Sequence, residues 1–427
     1  SPSKQRYSTD CQRDSSWVES IVTACRLRAR THSPIPTPPV RLCSLTSLPP
    51  LVVRSRKRVW SKPMPDLSTS LQLCSLCPKL CSHVCPVYRA SACETLTPQA
   101  KMSSLLSLRL AGAEHQATEA QALPLYACTG CGACATACLH KIEPAQHLIR
   151  GRTTAERAEV GHPALHELPE RVFQRAQEAS RAILRDPMLA ARVAQPGEIG
   201  LLPSCLPRRE HGEGPVAEAK QLLSVLDRVR EHRSDLPGYG LVTVGSAGYA
   251  LYAAGLEESF RLYAESLAHK VAGLSMLVTT CSACTYLLKV VYPQHGVPLA
   301  PKVLHLSELL LQYASSLPIQ RKLPRVSYHS PCHLSRRLKI DAPRQLLSRL
   351  AEQVDDISPC GDESLCCGAG GLLPNTDPQL AAAMAHEAMA TVDESIPTVS
   401  GCPTCGYHLT KSGHPTRDLL DLLAEAM

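Results

Sequence analysis

Residues 364–373 read SLCCGAGGLL and residues 400–409 read SGCPTCGYHL. Two adjacent cysteines before a glycine, followed by a Cys-x-x-Cys pair, are more thiols than a packed core needs. A third stretch, YHSPCHLSRR at 328–337, adds Cys332. Cys332 and the pair Cys402/Cys405 follow short apolar runs, RVSYHS at 325–330 and IPTVSG at 396–401, which read as buried strands. The runs at 199–204, 240–245 and 275–280 read the same way. Amphipathic stretches at 215–232, 249–272, 343–354 and 378–392 read as helices between them. Alternation of this kind predicts parallel α/β units, and open parallel sheets place ligand sites beyond strand ends. Five thiolates from three separated segments, Cys332, Cys366, Cys367, Cys402 and Cys405, exceed what one tetrahedral zinc needs. Adjacent cysteines suit a multi-iron cluster better.

The same elements recur upstream. Cys205 in LLPSCLPRR matches Cys332, Cys281 and Cys284 in VTTCSACTYLL match Cys402 and Cys405, and GSAGYALYAAG at 245–255 falls where LCCGAGGLL stands. Gly248 then corresponds to Gly368, with Ser246 and Ala247 in place of Cys366 and Cys367. One copy is complete; the other lacks its central pair.

Nearer the amino end, CSLCPKLCSHVCPV places Cys74, Cys77, Cys81 and Cys85 at x2, x3 and x3 spacing, and CTGCGACATACLHKIEP places Cys128, Cys131, Cys134 and Cys138 at x2, x2 and x3. These are ferredoxin-type spacings, in which three thiolates of a looped run hold one [4Fe-4S] cluster and the fourth ligates its neighbour. On that rule Cys74, Cys77, Cys81 and Cys138 hold one cluster, and Cys128, Cys131, Cys134 and Cys85 the other. The first run is one residue longer between Cys77 and Cys81 than usual, and Cys138 lacks a following proline. Zinc knuckles share the Cys-x-x-Cys pairs, but two runs of four, one ending in Cys-Pro, favour clusters. The helical stretch between the runs, 98–126, predicts a helical two-cluster module.

Of 21 cysteines in 427 residues most sit in tight groups, the pattern of metal ligation in a reducing cytoplasm rather than of a secreted disulfide framework. The formal charge of +7 is concentrated at the start: residues 1–63 hold 12 Lys/Arg against three Asp/Glu, so the rest is not basic and nucleic acid is not the expected partner. That first segment has no glycine, is crowded with Ser, Pro and Arg, and precedes the first methionine, Met64. It reads as a disordered extension; a transit peptide or a basic arm are the functional alternatives. No run of 18 apolar residues is present, so any membrane association is expected through a partner.

Residues 70–427 resemble the cysteine-rich "CCG" domain family, which includes heterodisulfide reductase subunits, the iron-sulfur subunits of glycolate oxidase and anaerobic glycerol-3-phosphate dehydrogenase, and lactate-utilization iron-sulfur proteins. The resemblance rests on Cys332, Cys366-Cys367-Gly368 and Cys402-x-x-Cys405, joined to the two ferredoxin runs. After the extension at 1–63, it implies a helical ferredoxin-like domain with two [4Fe-4S] clusters at 64–155, a degenerate first CCG-type domain at 156–320 and a complete second one at 321–427. It implies that Cys332, Cys366, Cys367, Cys402 and Cys405 hold a non-cubane [4Fe-4S] cluster or zinc. The first copy, with Cys205, Cys281 and Cys284, would be empty or hold zinc. The implied function is that of an electron-transfer subunit between a flavin dehydrogenase acting on a 2-hydroxy acid or similar compound and a quinone or other acceptor. No G-x-G-x-x-G after a strand and no P-loop points to a dehydrogenase site in this chain. A catalytic heterodisulfide reductase component and a non-enzymatic cluster or zinc module are the alternatives.

His329 and His333 flank Cys332 and read as hydrogen-bonded structural histidines, with cluster tuning or proton transfer as the functional alternative. Cys93 and Cys360 read as buried, inert thiols. The apolar stripe at 306–317 reads as core.

Overall fold

Strand β1 (Ile199–Leu202) is buried throughout and lies in the middle of a four-stranded parallel sheet with β2 (Tyr239–Leu241), β3 (Met276–Thr279) and β4 (Lys302–His305). The order is β2-β1-β3-β4. A second parallel sheet contains β5 (Leu323–His329), β6 (Ala351–Asp356), β7 (Thr398–Ser400) and β8 (Thr416–Asp418) in the order β6-β5-β7-β8. The two orders are the same. In each, the strand sequence reverses beside the first strand, and Cys281, Cys332 and Cys402 all lie just beyond strand ends at those reversals, where open α/β sheets leave a crevice. This computed structural model describes residues 66–113, 116–204 and 214–427. The extension at 1–63 and Cys205 lie outside the described residues.

The sheets share one apolar core. Ile199, Leu201 and Val278 of the first sheet and Val326, Tyr328 and Val399 of the second belong to a continuous buried cluster with Leu222 and Leu226 of helix Gly214–His232 and Leu420 and Leu423 of helix Leu419–Ala426. Leu306, Leu309 and Leu310 of the 306–317 stripe lie in that core, as expected. The described residues all belong to one compact unit.

Several expected elements end elsewhere. The stretch 249–272 is two helices, Tyr249–Ala254 and Glu257–Val271, because Gly255 adopts φ +87° and terminates the first; a left-handed residue with no Cβ ends a helix at little cost. The helix expected over 343–354 stops at Leu350, and 351–356 pair with β5 as an edge strand. β4, β6 and β8 were not among the expected strands.

The region before the sheets is helical. Asp66 caps helix Leu67–Ser75 by accepting from the Thr69 amide at 3.1 Å. Helices Pro98–Ala113, Glu119–Tyr126 and Pro144–Arg157 pack around Met102, Leu105, Leu125 and Leu148. The stretch between the two cysteine runs thus has the helical character expected of it.

Candidate metal centres

Eight thiols of the helical region fall into two sets. Cys74 lies on helix Leu67–Ser75, Cys81 on the turn Leu80–Ser82, and both share their electrostatic surroundings with Cys77 and Cys138. Burial, then the neighbouring Cys138, Cys81 and Cys77, push the Cys74 thiol up to about 12. Cys81 is pushed up to about 11 by burial and by Cys77, Cys85 and Cys138. Four thiolates this close repel one another unless a cation lies between them. This outer set is half-open: Cys77 and Cys138 are partly exposed, and the flanking Leu76 and Leu139 are 89% and 76% exposed.

The second set is closed. Cys85 precedes Pro86, whose ring starts helix Pro86–Ser91, while Cys128, Cys131 and Cys134 come from the loop and short helix Ala133–Thr136. All four are buried and line one cavity with Lys101 and Pro98. Burial raises the Cys134 thiol well above its usual range, followed by the charges of Cys128, Cys131 and Cys85. Lys101, 1% exposed, donates to the Ala127 carbonyl at 3.2 Å and places a positive charge beside Cys85.

Beyond the second sheet, five thiols form a hydrogen-bonded chain. Cys332 lies just past the end of β5, and Cys366 accepts from it and from Cys131 of the closed set. Cys367 accepts from Cys366 and Cys405 and is held well below the usual thiol range by them. Cys402, at the start of helix Pro403–Lys411, is buried, which alone would raise it; hydrogen bonds from Cys281, Cys405 and Ser282 bring it well below. Of the five thiols, Cys366, Cys367 and Cys402 are the ones shifted towards the thiolate form that metal binding requires. His329 lies here too, its imidazole within 4.8 Å of the Cys367 and Cys405 sulfurs. Burial lowers its pKa to about 4, so it is neutral.

Cys281 of the first copy lies against this gathering: its thiol hydrogen-bonds Cys284 and Cys402, and its sulfur is 3.5 Å from Thr404 Oγ1. Cys205 lies outside the described residues. His333 contacts Cys332 through Nδ1 at 3.7 Å and packs on Tyr249 and Tyr286. Cys93 is buried as expected and lies 3.2 Å from Thr95 Oγ1, whereas Cys360 is exposed, contrary to expectation: it sits in the surface loop after β6.

Buried arginines hold these sets together, and sequence reasoning missed them. Arg152 is fully buried and donates to the carbonyls of Leu125 at 2.9 Å, Cys128 at 2.6 Å, Gly371 at 2.8 Å and also Ala253. Arg336 reaches Asp362 O at 2.6 Å, Cys131 O at 3.0 Å and Ser364 O. Arg337 lies over the Tyr286 ring and pairs with Glu143 at 3.2 Å. The Arg336-Arg337 pair after Cys332, matched by Arg208-Arg209 after Cys205, was the available signal.

The glycines after Cys367 let the backbones meet. A Cβ on Gly368 would stand 2.5 Å from the Ala381 carbonyl, and one on Gly371 would overlap the Cys128 carbonyl.

Two families match this chain: a 4Fe-4S dicluster domain over residues 70–142 and a cysteine-rich domain described as CCG over 326–410. The chain therefore carries an iron-sulfur dicluster domain followed by a CCG cysteine-rich domain. Among curated proteins it is 27% identical over 300 residues to a subunit of the fumarate reductase (CoM/CoB) of Methanothermobacter marburgensis, an overlap covering 67% of this chain and 57% of that protein. It is 28% identical over 169 residues to a subunit of the dihydromethanophenazine:CoB--CoM heterodisulfide reductase of Methanosarcina barkeri, covering 36% of this chain and 41% of that one. A third relative, a probable membrane-anchored ferredoxin of Chromohalobacter salexigens, is 35% identical over 149 residues, 32% of this chain and 22% of that protein. The matched stretches thus span about half or less of these relatives. No solved structure matches. No helix among the described residues is long and apolar enough to cross a membrane.

Proposed function

We propose that the chain is the iron-sulfur electron-transfer subunit of an oxidoreductase. The observation that carries this reading is the contact between Cys131 of the closed set and Cys366 of the CCG segment, which joins two groups of metal-ligating thiols end to end. Cys74, Cys77, Cys81 and Cys138 would hold one [4Fe-4S] cluster and Cys85, Cys128, Cys131 and Cys134 a second; Cys332, Cys366, Cys367, Cys402 and Cys405 would hold a non-cubane cluster, with zinc as the other candidate. The donor sets fit these groups: thiols gathered in fours and fives, two of them held below the usual thiol range by their neighbours, with Lys101 buried beside the closed set. Iron-sulfur centres supply one-electron storage over a wide range of potentials.

The chain's own residues set order and access. Cys77, Cys138 and the exposed Leu76 and Leu139 mark the solvent side, where a partner would exchange electrons. Arg152 and Arg336 fix the spacing between the closed set and the CCG segment. The relatives' names support membership of a larger reductase. A flavin dehydrogenase of a 2-hydroxy acid or similar compound as donor, and a quinone as acceptor, complete the proposal. The division into domains at 64–155, 156–320 and 321–427, the last two as copies of one CCG-type unit, is supported by the equal strand order of the two sheets. The position of Cys281 against Cys402 favours one shared centre over a separate zinc site in the first copy.

The test is iron, sulfide and zinc content of protein prepared without oxygen, combined with EPR during redox titration. About 12 irons per chain are expected, four in each centre. About eight irons with one zinc would leave the CCG segment a zinc-bound scaffold, and the relay would end at the closed set. A second reading, disulfide reduction at the CCG centre, is favoured by the heterodisulfide reductase relative; release of thiols from a disulfide substrate by the reduced protein would establish it.

A further inference from the structure

We propose that His329 is a nitrogen ligand of the CCG centre, binding the same metal as Cys367 and Cys405. The assignment rests on the reading of that segment as a metal centre. His329 is the last residue of β5 and lies opposite Ser400 of β7. Its carbonyl accepts from Ser400 Oγ at 3.3 Å, so the backbone is fixed and the ring is carried to the strand end where Cys402 and Cys405 begin the next helix. The side chain is 3% exposed. Its Nε2 has no hydrogen-bond partner among the described residues.

Most buried imidazoles placed for structural reasons find a donor or acceptor. His305 does so, with contacts from its two ring nitrogens to Ser307 Oγ at 2.8 Å and the Thr280 carbonyl at 2.9 Å. His408 reaches the Ala381 carbonyl at 3.1 Å. His147 Nε2 and His295 Nε2 also lack a partner, but neither is grouped with cysteine sulfurs as His329 is. His329 instead has its ligand atom within 4.8 Å of two cysteine sulfurs, and the three donor atoms all lie within that distance of one another, close enough to hold one metal ion. Metal bonds of about 2.0 to 2.3 Å to nitrogen and sulfur require only a modest closing of that triangle. His333, the other histidine beside Cys332, is placed differently: its Nδ1 lies against the Cys332 sulfur and its ring is enclosed by Tyr249 and Tyr286.

The chemical consequence follows from charge. An imidazole adds no negative charge to the metal it binds, where a further thiolate would, and in iron-sulfur proteins histidine at a position otherwise held by cysteine gives a higher reduction potential.

The test uses the full chain labelled with 15N-histidine, in one preparation loaded with iron and sulfide and in another with Co(II), each read by pulsed EPR. One nitrogen coupling of the size given by directly bonded imidazole is expected, lost in His329→Gln and retained in His333→Gln. The Co(II) form should show the visible bands of a mixed sulfur-nitrogen site in the wild type and lose intensity in His329→Gln. Metal bound at Cys367 and Cys405 without a nitrogen coupling, or a coupling that survives His329→Gln, overturns the assignment and leaves the functional reading intact. Failure of both preparations to bind metal there overturns the two together. Should His329→Gln not fold, a wild-type spectrum without a nitrogen coupling, or a coupling lost in His333→Gln, still overturns the assignment.

Discussion

The guanidinium of Arg336 donates to the carbonyl oxygen of Cys131 at 3.0 Å, joining the turn after Cys332 to the loop of the closed thiol set across 205 residues of chain. The same side chain holds Asp362 O and Ser364 O, just ahead of the Cys366-Cys367 pair. One buried fork therefore positions both partners of the Cys131–Cys366 contact.

Replacing it should separate them. Arg336→Met leaves three carbonyls without their donor and is expected to cost about 2 to 4 kcal/mol of stability, measured by denaturant unfolding. It should also slow electron exchange between the closed set and the CCG centre, seen by rapid-freeze EPR. Arg336→Lys should restore little, because an ammonium cannot reproduce the planar fork.

Arg152 has a broader reach. Its donations to Leu125, Cys128, Ala253 and Gly371 tie the helical region to segments that follow the edge strands β2 and β6. Arg152→Met is expected to lower stability by about 3 kcal/mol or more. Tyr126→Phe, which removes only the hydroxyl donated to Glu156 at 2.7 Å and keeps the ring beneath the guanidinium, should cost about 1 kcal/mol. A Tyr126→Phe variant as unstable as Arg152→Met would locate the energy elsewhere.

Gly371 combines φ +60° with contact to the Cys128 carbonyl. Gly371→Ala therefore adds left-handed strain of about 1 kcal/mol or more to a direct clash with the loop that carries three of the closed set's thiols. The expected outcome is a lower melting temperature together with loss of about four irons per chain. Gly413, which also has positive φ but open space around its Cβ, is the control: Gly413→Ala should lower the melting temperature without loss of iron.

His162 gives a pH dependence. Burial, followed by the charges of Arg152 and His166, lowers its pKa to about 4, and Nδ1 accepts from the Ala164 amide at 3.2 Å. A group whose folded pKa is depressed below the unfolded value of about 6.5 binds its proton in the unfolded chain first. Its contribution is thus complete above pH 6.5 and is lost as pH falls toward 4. His162→Asn keeps a short acceptor for the amide and removes the titration. The stability difference between wild type and variant should shrink in that direction between pH 6.5 and 5 in urea titrations; a constant difference would contradict the assignment.

The cysteines were the most legible part of this chain, because metal ligation imposes spacings that survive in the sequence. The parallel sheets were legible where strands are buried on both faces, as in β1 and β7. They were not at β6, where Ala351–Asp356 follows helix Ala342–Leu350 without an intervening glycine or proline and the helical pattern runs on into an edge strand with exposed acidic residues. Gly255 was visible as a glycine, but the apolar spacing on either side of it carried across the break. Arg152 sits in the sequence RGRTTAER, which resembles any solvated helix face; only packing makes it interior. The approach of Cys281 to Cys402 depends on how two sheets share a core and leaves no local trace.

The seating of Gly370 and Gly371 on Thr129 and Cys128 bears on how the protein is matured. With that loop down, the four thiols of the closed set are buried. On the proposed reading, insertion of iron and sulfide there would precede the docking of the carboxyl segment or accompany it, while the half-open outer set would stay reachable in the finished protein. Delivery from a scaffold protein during synthesis would thus find the inner site accessible only until the cysteine-pair loop, some 240 residues downstream, closes over it.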